Sequence, residues 1–181
     1  MSSPVGANAK RTEIIEHLAR IQSGPERRQQ PVAIIGPGDG GERECSAART
    51  VAGLLAQAGF SIICGGRGGV MAAASRGATE AGGIAIGILP EEDARSANPF
   101  LTVAVPTGMG EMRNAIIARS SLCLVAIGGG MGTISEMALG LKWNQAVFAL
   151  YEDVQLPGAV IASDLDDLIA RVLDFLSKQS A

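Results

Sequence analysis

The sequence is poor in the residue types that mark several classes of protein. Only 18% of its 181 residues are charged, 3% are aromatic, and the net charge is −3. Binding to nucleic acid through surface charge needs a basic face, which this balance does not favour. No stretch approaches the roughly 18 consecutive apolar residues of a membrane helix. We therefore expect neither a nucleic acid nor a membrane as a partner.

Histidine and cysteine are also scarce. His17 is the only histidine and lies near the N-terminus, which argues against Ser-His-Asp or Cys-His catalysis and against histidine-bound metal in the rest of the chain. Cys45, Cys64 and Cys123 are far apart and odd in number, so their spacing fits neither a zinc site nor a disulfide framework. We interpret them as small buried residues in a reducing compartment and expect no metal and no cofactor.

The N-terminal segment differs in pattern from the rest of the chain. Its first ten residues have no long apolar core behind a basic start, so we expect no secretory signal and a cytoplasmic location. Residues Arg11–Ile21 have apolar side chains at helical spacing, and Ser23–Gln30 is polar and typical of a linker. The sequence thus predicts a helical arm and linker over residues 1–30 and a single domain over residues 31–181.

Hydrophobic residues are abundant, at 47%, and from Pro31 onwards short apolar segments alternate with helical ones. Strands that are continuously apolar are buried on both faces. Their alternation with helices predicts an α/β protein of Rossmann-like, doubly wound architecture, with a parallel sheet flanked by helices. The predicted strands are Val32–Ile35, Ser61–Cys64, Ile84–Leu89, Leu101–Val105, Leu122–Ile127, Ala146–Leu150 and Val160–Ala162. The predicted helices are Ala47–Ala58, Val70–Ala81, Met109–Ser120, Thr133–Trp143 and Asp164–Leu176, the last with Ser163 as its N-cap.

Ligands of such sheets bind at the carboxyl ends of the strands, so the loops there are the candidate site. The first loop, Gly36–Gly41, matches the glycine spacing of dinucleotide-binding proteins. The second strand, however, ends in Cys64 with no carboxylate to hold a ribose, which favours a tight turn over an NAD site. Gly36 and Gly38 remain candidate ligand contacts.

The second loop has four glycines within the five positions Gly65–Gly69. Glycines at the start of a helix expose backbone N–H groups that bind anions, and Arg67 would add a positive charge. The alternative is a flexible turn with a solvent-facing arginine. The candidate contacts here are Gly65, Gly66, Arg67, Gly69 and Met71.

The third loop, Gly128–Glu136, follows a strongly apolar strand and is the predicted phosphate cradle. It is not a Walker A loop, because no Gly-Lys-Ser/Thr follows. Glu136 stands three residues after Thr133, so the two form either a capping box or a site in which the carboxylate contacts a ribose or transfers a proton. The candidate phosphate contacts are Gly129, Gly130, Gly132 and Thr133.

The fourth loop, Thr107–Asn114, opens the helix after the fourth strand. Arg113 lies in the first turns of that helix. It is either a surface ion-pairing residue or part of the site.

Two of these motifs, Gly65–Met71 and Gly129–Glu136, resemble the LOG ("Lonely Guy") superfamily, whose members were long mislabelled as lysine decarboxylases. The resemblance runs from about Val32 to Leu150. It implies a Rossmann-like fold, a homodimer or higher homo-oligomer, and a site completed across the dimer interface. LOG enzymes are phosphoribohydrolases that cleave nucleoside 5′-monophosphates into free base and ribose 5-phosphate. Their catalytic pair falls on Arg113 and Glu136.

Three positions depart from the enzyme pattern: Gly128 replaces a proline, Asn114 a lysine and Ser135 a glutamate. The segments Ile86–Pro90 and Thr107–Asn114 look more like a second branch, which includes the molybdenum cofactor carrier proteins. Its studied members bind the phosphorylated pterin of that cofactor and protect it without a reaction of their own. Asn114 is therefore a candidate ligand contact.

Two functions stay open: binding of a phosphorylated pterin or nucleotide, and hydrolysis of a nucleoside 5′-monophosphate. In both, the partner is a phosphate-bearing small molecule. Lysine decarboxylation is not expected, because such enzymes hold pyridoxal phosphate on a lysine. The lysines here, Lys10, Lys142 and Lys178, all lie away from the carboxyl ends of the predicted strands.

Overall fold

The computed structural model describes residues 4–25, 30–151 and 155–179, and only the backbone of residues 4–7. The described residues form seven strands: β1 Val32–Ile35, β2 Ile62–Cys64, β3 Ala85–Leu89, β4 Val103–Pro106, β5 Cys123–Ile127, β6 Ala146–Leu150 and β7 Val160–Ile161. The helices are α1 Pro4–Gln22, α2 Glu42–Gln57, α3 Gly69–Glu80, α4 Asn114–Ser120, α5 Met131–Lys142 and α6 Leu165–Gln179, with a 3-10 helix at Gly110–Arg113.

The strands form one sheet in the order β4-β3-β2-β1-β5-β6-β7, and every neighbouring pair is parallel. This arrangement confirms the predicted Rossmann-like fold. Because the chain leaves β1 for β2 on one side and later places β5 on the other, a crevice opens between the loops after β1 and β5. The candidate site should therefore lie there.

The core lies on both faces of the sheet. All residues of β1, β2 and β5 are buried, as expected for apolar parallel strands. Successive residues point to opposite faces, so the fully buried Ile34 packs with α2, α3 and α6, while Ile35 packs with α4 and α5. Helices α2 and α3 approach closely, because a Cβ on Gly77 would lie 2.1 Å from the carbonyl oxygen of Arg49.

Helix α1 is longer than the predicted Arg11–Ile21 and packs on the domain. Leu18 is fully buried in the core, and Arg11 forms a 2.8 Å ion pair with Asp166 of α6. Of the predicted linker Ser23–Gln30, residues 26–29 lie outside the described part of the chain. No helix within residues 4–25, 30–151 and 155–179 is long and apolar enough to cross a membrane.

The local predictions for α4 and α6 are wrong. The helix expected over Met109–Ser120 begins as a 3-10 turn at Gly110–Arg113 and is α-helical only from Asn114 onwards. Gly110 has a φ of +56°, outside the α-helical region, so a regular α-helix does not run through it. Ser163 is not the N-cap of α6. Asp164 takes that role, with its Oδ1 accepting the Asp167 N–H at 2.8 Å.

Candidate functional site

A cavity of about 300 Å³ lies at the carboxyl edge of the sheet, where the loops after β1, β2 and β5 meet. It brings together most of the residues predicted as site residues from the sequence. Those that line it are Gly36, Gly38, Gly65, Arg67, Met71, Arg113, Asn114, Gly130, Gly132, Thr133 and Glu136.

Three predicted contacts do not line the cavity. Gly66 and Gly69 have φ of +74° and +58° and form the turn of the second loop outside the cavity. A Cβ on Gly69 would lie 2.5 Å from the carbonyl of Gly38, so this glycine lets the first two loops touch. Gly129 is also absent from the lining.

Four lining residues were not predicted from the sequence: Ile35, Pro37, Asp39 and Glu111. All four stand within or beside segments already singled out by their position after a strand. Asp39 lies inside the first glycine loop, and Glu111 is two residues before Arg113. Position alone was therefore the signal that pointed to them.

The N-termini of α2, α3 and α5 follow β1, β2 and β5, and glycines 41, 68 and 130 are their N-caps. Since glycine has no side chain, none of these three N-caps can accept a hydrogen bond from the first N–H groups of its helix. At α5, the N–H groups of Met131, Gly132 and Thr133 have no hydrogen-bond acceptor among the described residues. Open N–H groups and the positive end of the helix dipole together favour an anion at this point.

The capping-box alternative for Thr133 and Glu136 is wrong. Helix α5 begins two residues earlier than predicted, at Met131, so Thr133 already lies within its first turn. Both side chains are buried, Glu136 with only 5% of its surface exposed. Glu136 is therefore a residue of α5 beyond its first turn, and its side chain lines the cavity.

Arg113 and Glu136 meet in the cavity wall. The Nη1 of Arg113 lies 3.5 Å from Oε1 of Glu136, and both side chains are 7% exposed. The alternative of a surface ion pair therefore does not hold. Within the described residues, the buried Nε of Arg113 has no hydrogen-bond partner. Arg113 thus keeps a donor that a ligand would satisfy.

A short hydrogen-bonded chain continues from Arg113 to the third loop. Its Nη1 donates to Oδ1 of Asn114, whose Nδ2 lies 3.0 Å from Oγ of Ser135. Ser135 in turn donates to the carbonyl oxygen of Gly132 at 2.6 Å. Asn114 and Ser135 both depart from the LOG enzyme pattern, and they contact one another. These two departures therefore form a neutral pair that links Arg113 to the third loop.

Burial changes the proton affinity of Glu136. Desolvation raises the pKa of this carboxyl from its ordinary 4.5 to about 8, although the Arg113 guanidinium lowers it and the Glu111 carboxylate raises it further. A carboxyl with such a pKa is mostly protonated at neutral pH. Burial thus favours the protonated form of Glu136, which can donate a hydrogen bond or a proton inside the cavity.

Other ionisable groups have narrower roles. Arg67 lines the cavity, is about half-exposed, and pairs with Glu91. Cys64 and Cys123 are fully buried, and burial raises the pKa of both thiols, so neither is an activated nucleophile. Across the described part of the chain, no group of three or more His, Cys, Asp or Glu side chains is placed to hold a metal ion.

Comparison with known proteins places the chain among relatives of both branches of the resemblance. A model of the SLOG cluster4 family matches residues 29–173. An uncharacterized protein of Archaeoglobus fulgidus is 40% identical over 127 residues, covering 70% of this chain and 83% of that protein. The cytokinin riboside 5'-monophosphate phosphoribohydrolase LOG5 of Arabidopsis thaliana is 32% identical over 124 residues, covering 65% of this chain and 54% of that enzyme.

Among solved structures, the molybdenum cofactor binding protein of the phototrophic bacterium Rippkaea orientalis superposes with a TM-score of 0.78. It is 32% identical, and the match covers 83% of this chain and 99% of that one. The resemblance derived from the glycine loops is thereby confirmed.

Proposed function

Because the chain belongs to the SLOG cluster4 family, we propose that it binds a phosphate-bearing small molecule, a phosphorylated pterin or nucleotide. The ligand's phosphate would sit on the N-terminus of α5. The observation that carries this proposal is the row of three free N–H groups at residues 131–133. They adjoin a cavity that is lined by Gly132, Thr133 and Arg113, whose Nε has no partner among the described residues.

The chemistry of the cavity fits a phosphate better than other anchors. Backbone N–H groups at a helix start bind phosphate oxygens without needing a lysine. Leaving a buried donor such as Nε of Arg113 unpaired costs on the order of 1–3 kcal/mol, and a ligand oxygen would recover this energy. The carboxylates of Asp39 and Glu111 would accept hydrogen bonds from hydroxyl or amino groups in the rest of the ligand.

Binding without turnover is our first choice. The oxocarbenium-like state of glycosidic cleavage is stabilised by an ionised carboxylate. Burial raises the pKa of Glu136 to about 8, which disfavours the ionised carboxylate that this stabilising role requires. The neutral Asn114–Ser135 pair adds no charge to the site. The similarity to the Rippkaea orientalis protein, which is named for binding the molybdenum cofactor, supports the same choice.

Hydrolysis of a nucleoside 5′-monophosphate is the second candidate, and the contact between Arg113 and Glu136 in the cavity favours it. In this reaction the protonated Glu136 gives its proton to the departing base as the bond from C1′ to the base nitrogen breaks. Water then adds to C1′ and returns a proton to Glu136. The products are the free base and ribose 5-phosphate, and no other reactant is consumed.

One experiment separates the two. The purified protein is incubated with AMP and the other nucleoside 5′-monophosphates, and free base is measured by chromatography. We expect no release, together with binding of the isolated molybdenum cofactor or of AMP. Release that disappears in Glu136→Gln but persists in Glu16→Gln, a change at an exposed residue of α1, would establish the hydrolase instead. Absence of both binding and release would refute both functions.

We also propose that the protein is a homodimer or higher homo-oligomer that uses the β4 edge of the sheet. All four residues of β4 are exposed, although parallel strands are normally covered on both faces. Val103 and Val105 are 44% and 38% exposed, and Met112, in the 3-10 helix that follows β4 in the chain, is 73% exposed. Met112 stands between the cavity residues Glu111 and Arg113 in sequence, so a second copy that covered it would lie beside the site.

Light scattering coupled to gel filtration tests the oligomer. Val105→Lys should convert it to monomer, whereas Ile161→Lys, on the opposite edge strand β7, should leave it unchanged. A monomeric wild-type protein would exclude the proposal.

We also propose a cytoplasmic location, which is supported by the three free cysteines.

A further inference from the structure

The segment between β3 and β4 contains a buried asparagine that contacts the second glycine loop. Asn98 is only 9% exposed, although it lies outside any helix or strand. Its Nδ2 donates to the carbonyl oxygens of Gly66 and Arg67, each at 3.1 Å. Its own N–H donates to Gly66 at 2.9 Å, and its Oδ1 accepts the N–H of Phe100 at 3.1 Å. One side chain thus holds two consecutive carbonyl groups of a loop about thirty residues away.

Because of peptide geometry, this contact also fixes the direction in which the N–H groups of the loop point. In a trans peptide the C=O and the following N–H point in opposite directions, and the described residues contain no cis peptide. With the carbonyls of Gly66 and Arg67 facing Asn98, the N–H groups of Arg67 and Gly68 point away from it. Neither N–H has an acceptor among the described residues. Arg67 lines the cavity, whereas neither Asn98 nor Gly68 does. The side of the loop opposite Asn98, to which both free N–H groups point, is therefore the side that we assign to the ligand.

The same segment holds the side chain of Arg67. Glu91, near the start of the segment, pairs with Nη2 of Arg67. Behind Asn98, the fully buried Ser75 of α3 places its Oγ 3.4 Å from Nδ2 and donates to the carbonyl of Met71 at 2.8 Å. Arg67 is therefore held at its carbonyl group by Asn98 and at its guanidinium by Glu91. Asn98 in turn contacts Ser75 of α3.

We propose that Asn98 is a positioning residue, which holds the second glycine loop with the N–H groups of Arg67 and Gly68 directed at the ligand's phosphate. The inference rests on the proposed function, because it assumes that the cavity binds a phosphate. Asn98 acts from outside the cavity, through the loop.

Loss of the Asn98 contacts should lower the affinity of the protein for its ligand. A loop of glycines has many conformations, and ordering it on binding would cost free energy that Asn98 removes in advance. Losing this preorganisation should weaken binding of AMP at least tenfold. Asn98→Asp should weaken it more than Asn98→Ala, because a carboxylate oxygen would then face the two carbonyl oxygens.

The matched control is Gln145→Ala. Gln145 Nε2 donates to the carbonyl oxygen of Ser121 at 2.7 Å, a bond of the same kind at the amino ends of β5 and β6. We would titrate AMP calorimetrically into the wild type, Asn98→Ala, Asn98→Asp and Gln145→Ala, and measure unfolding by urea for each. In parallel, NMR order parameters of the Arg67 and Gly68 N–H groups would be compared without ligand.

We expect Gln145→Ala to bind AMP within twofold of the wild type. In Asn98→Ala the order parameters of Arg67 and Gly68 should fall from about 0.85, typical of a rigid backbone, towards about 0.6. If the wild type binds AMP and Asn98→Ala binds it equally well, the inference is overturned. If the wild type binds neither AMP nor inorganic phosphate, the proposed function fails. Independently of binding, order parameters of Arg67 and Gly68 that are the same in Asn98→Ala and the wild type would overturn the role of Asn98. Asn98→Ser, which keeps one donor, replaces Asn98→Ala should the latter not fold, with a smaller loss of the same sign.

Discussion

Replacing Glu136 by glutamine should change how the stability of the protein depends on pH. Burial raises the pKa of Glu136 from 4.5 to about 8, so the native state binds a proton that the unfolded chain releases between these values. A carboxyl of this kind contributes fully below pH 4.5, and the contribution is lost as pH rises towards 8. Each pH unit within that window should lower the free energy of unfolding by about 1.4 kcal/mol.

Across the whole window the loss reaches about 5 kcal/mol, which is a large part of the stability of an ordinary domain. Glutamine has the same shape and does not titrate. The stability of Glu136→Gln, relative to wild type, should therefore rise steadily between pH 5 and pH 8 and stay level above it. Urea unfolding at five pH values from 5 to 9 measures this difference.

The control is Glu16→Gln, the same change of residue at an exposed position of α1. Parallel curves for wild type and Glu136→Gln would refute the reasoning. They would mean that Glu136 stays ionised beside Arg113 and that the ion pair, not burial, sets its charge.

Two further predictions concern the fold. Leu18→Ala should lower the free energy of unfolding by about 2–5 kcal/mol, because Leu18 is fully buried where α1 packs on the domain; urea unfolding would show it, and a loss below 1 kcal/mol would mean that α1 is not part of the folded core. Gly77→Ala should destabilise the protein strongly, since its Cβ would lie 2.1 Å from the carbonyl oxygen of Arg49, whereas the control Gly53→Ala meets its nearest atom at 3.4 Å. Equal melting temperatures for these two variants would contradict the close packing of α2 on α3.

Much of the fold could be predicted because its signal is local. The strand Ala146–Leu150 has the predicted bounds, since a continuously apolar run between polar turns leaves little choice. The start of α5 was misplaced because Gly130–Gly132 resembles a loop in sequence, whereas the helix begins at Met131. Glycine disfavours a helix interior but is tolerated in the first turn, where the N–H groups have no partner within the helix.

The site was predictable in part. Position after strands, together with the resemblance, pointed to Arg113 and Glu136 as a pair. The burial that makes Glu136 a weak acid depends on packing from several elements and leaves no local trace. Asn98 stands before a proline in a segment that reads as a turn. Its partners Gly66 and Arg67 are far away in sequence, and only the folded chain shows why it is buried.

Binding of a phosphate at the N-terminus of α5 is tested most directly by AMP titration into Gly132→Asp and Gly132→Asn. A Cβ at this position meets no atom within 4 Å, so both variants should fold. A carboxylate in the first turn should stabilise the helix by about 0.3–1 kcal/mol while repelling a phosphate. The account predicts that Gly132→Asp binds AMP at least tenfold more weakly than Gly132→Asn, with no loss of stability. Equal affinity of the two variants, at wild-type strength, would contradict it.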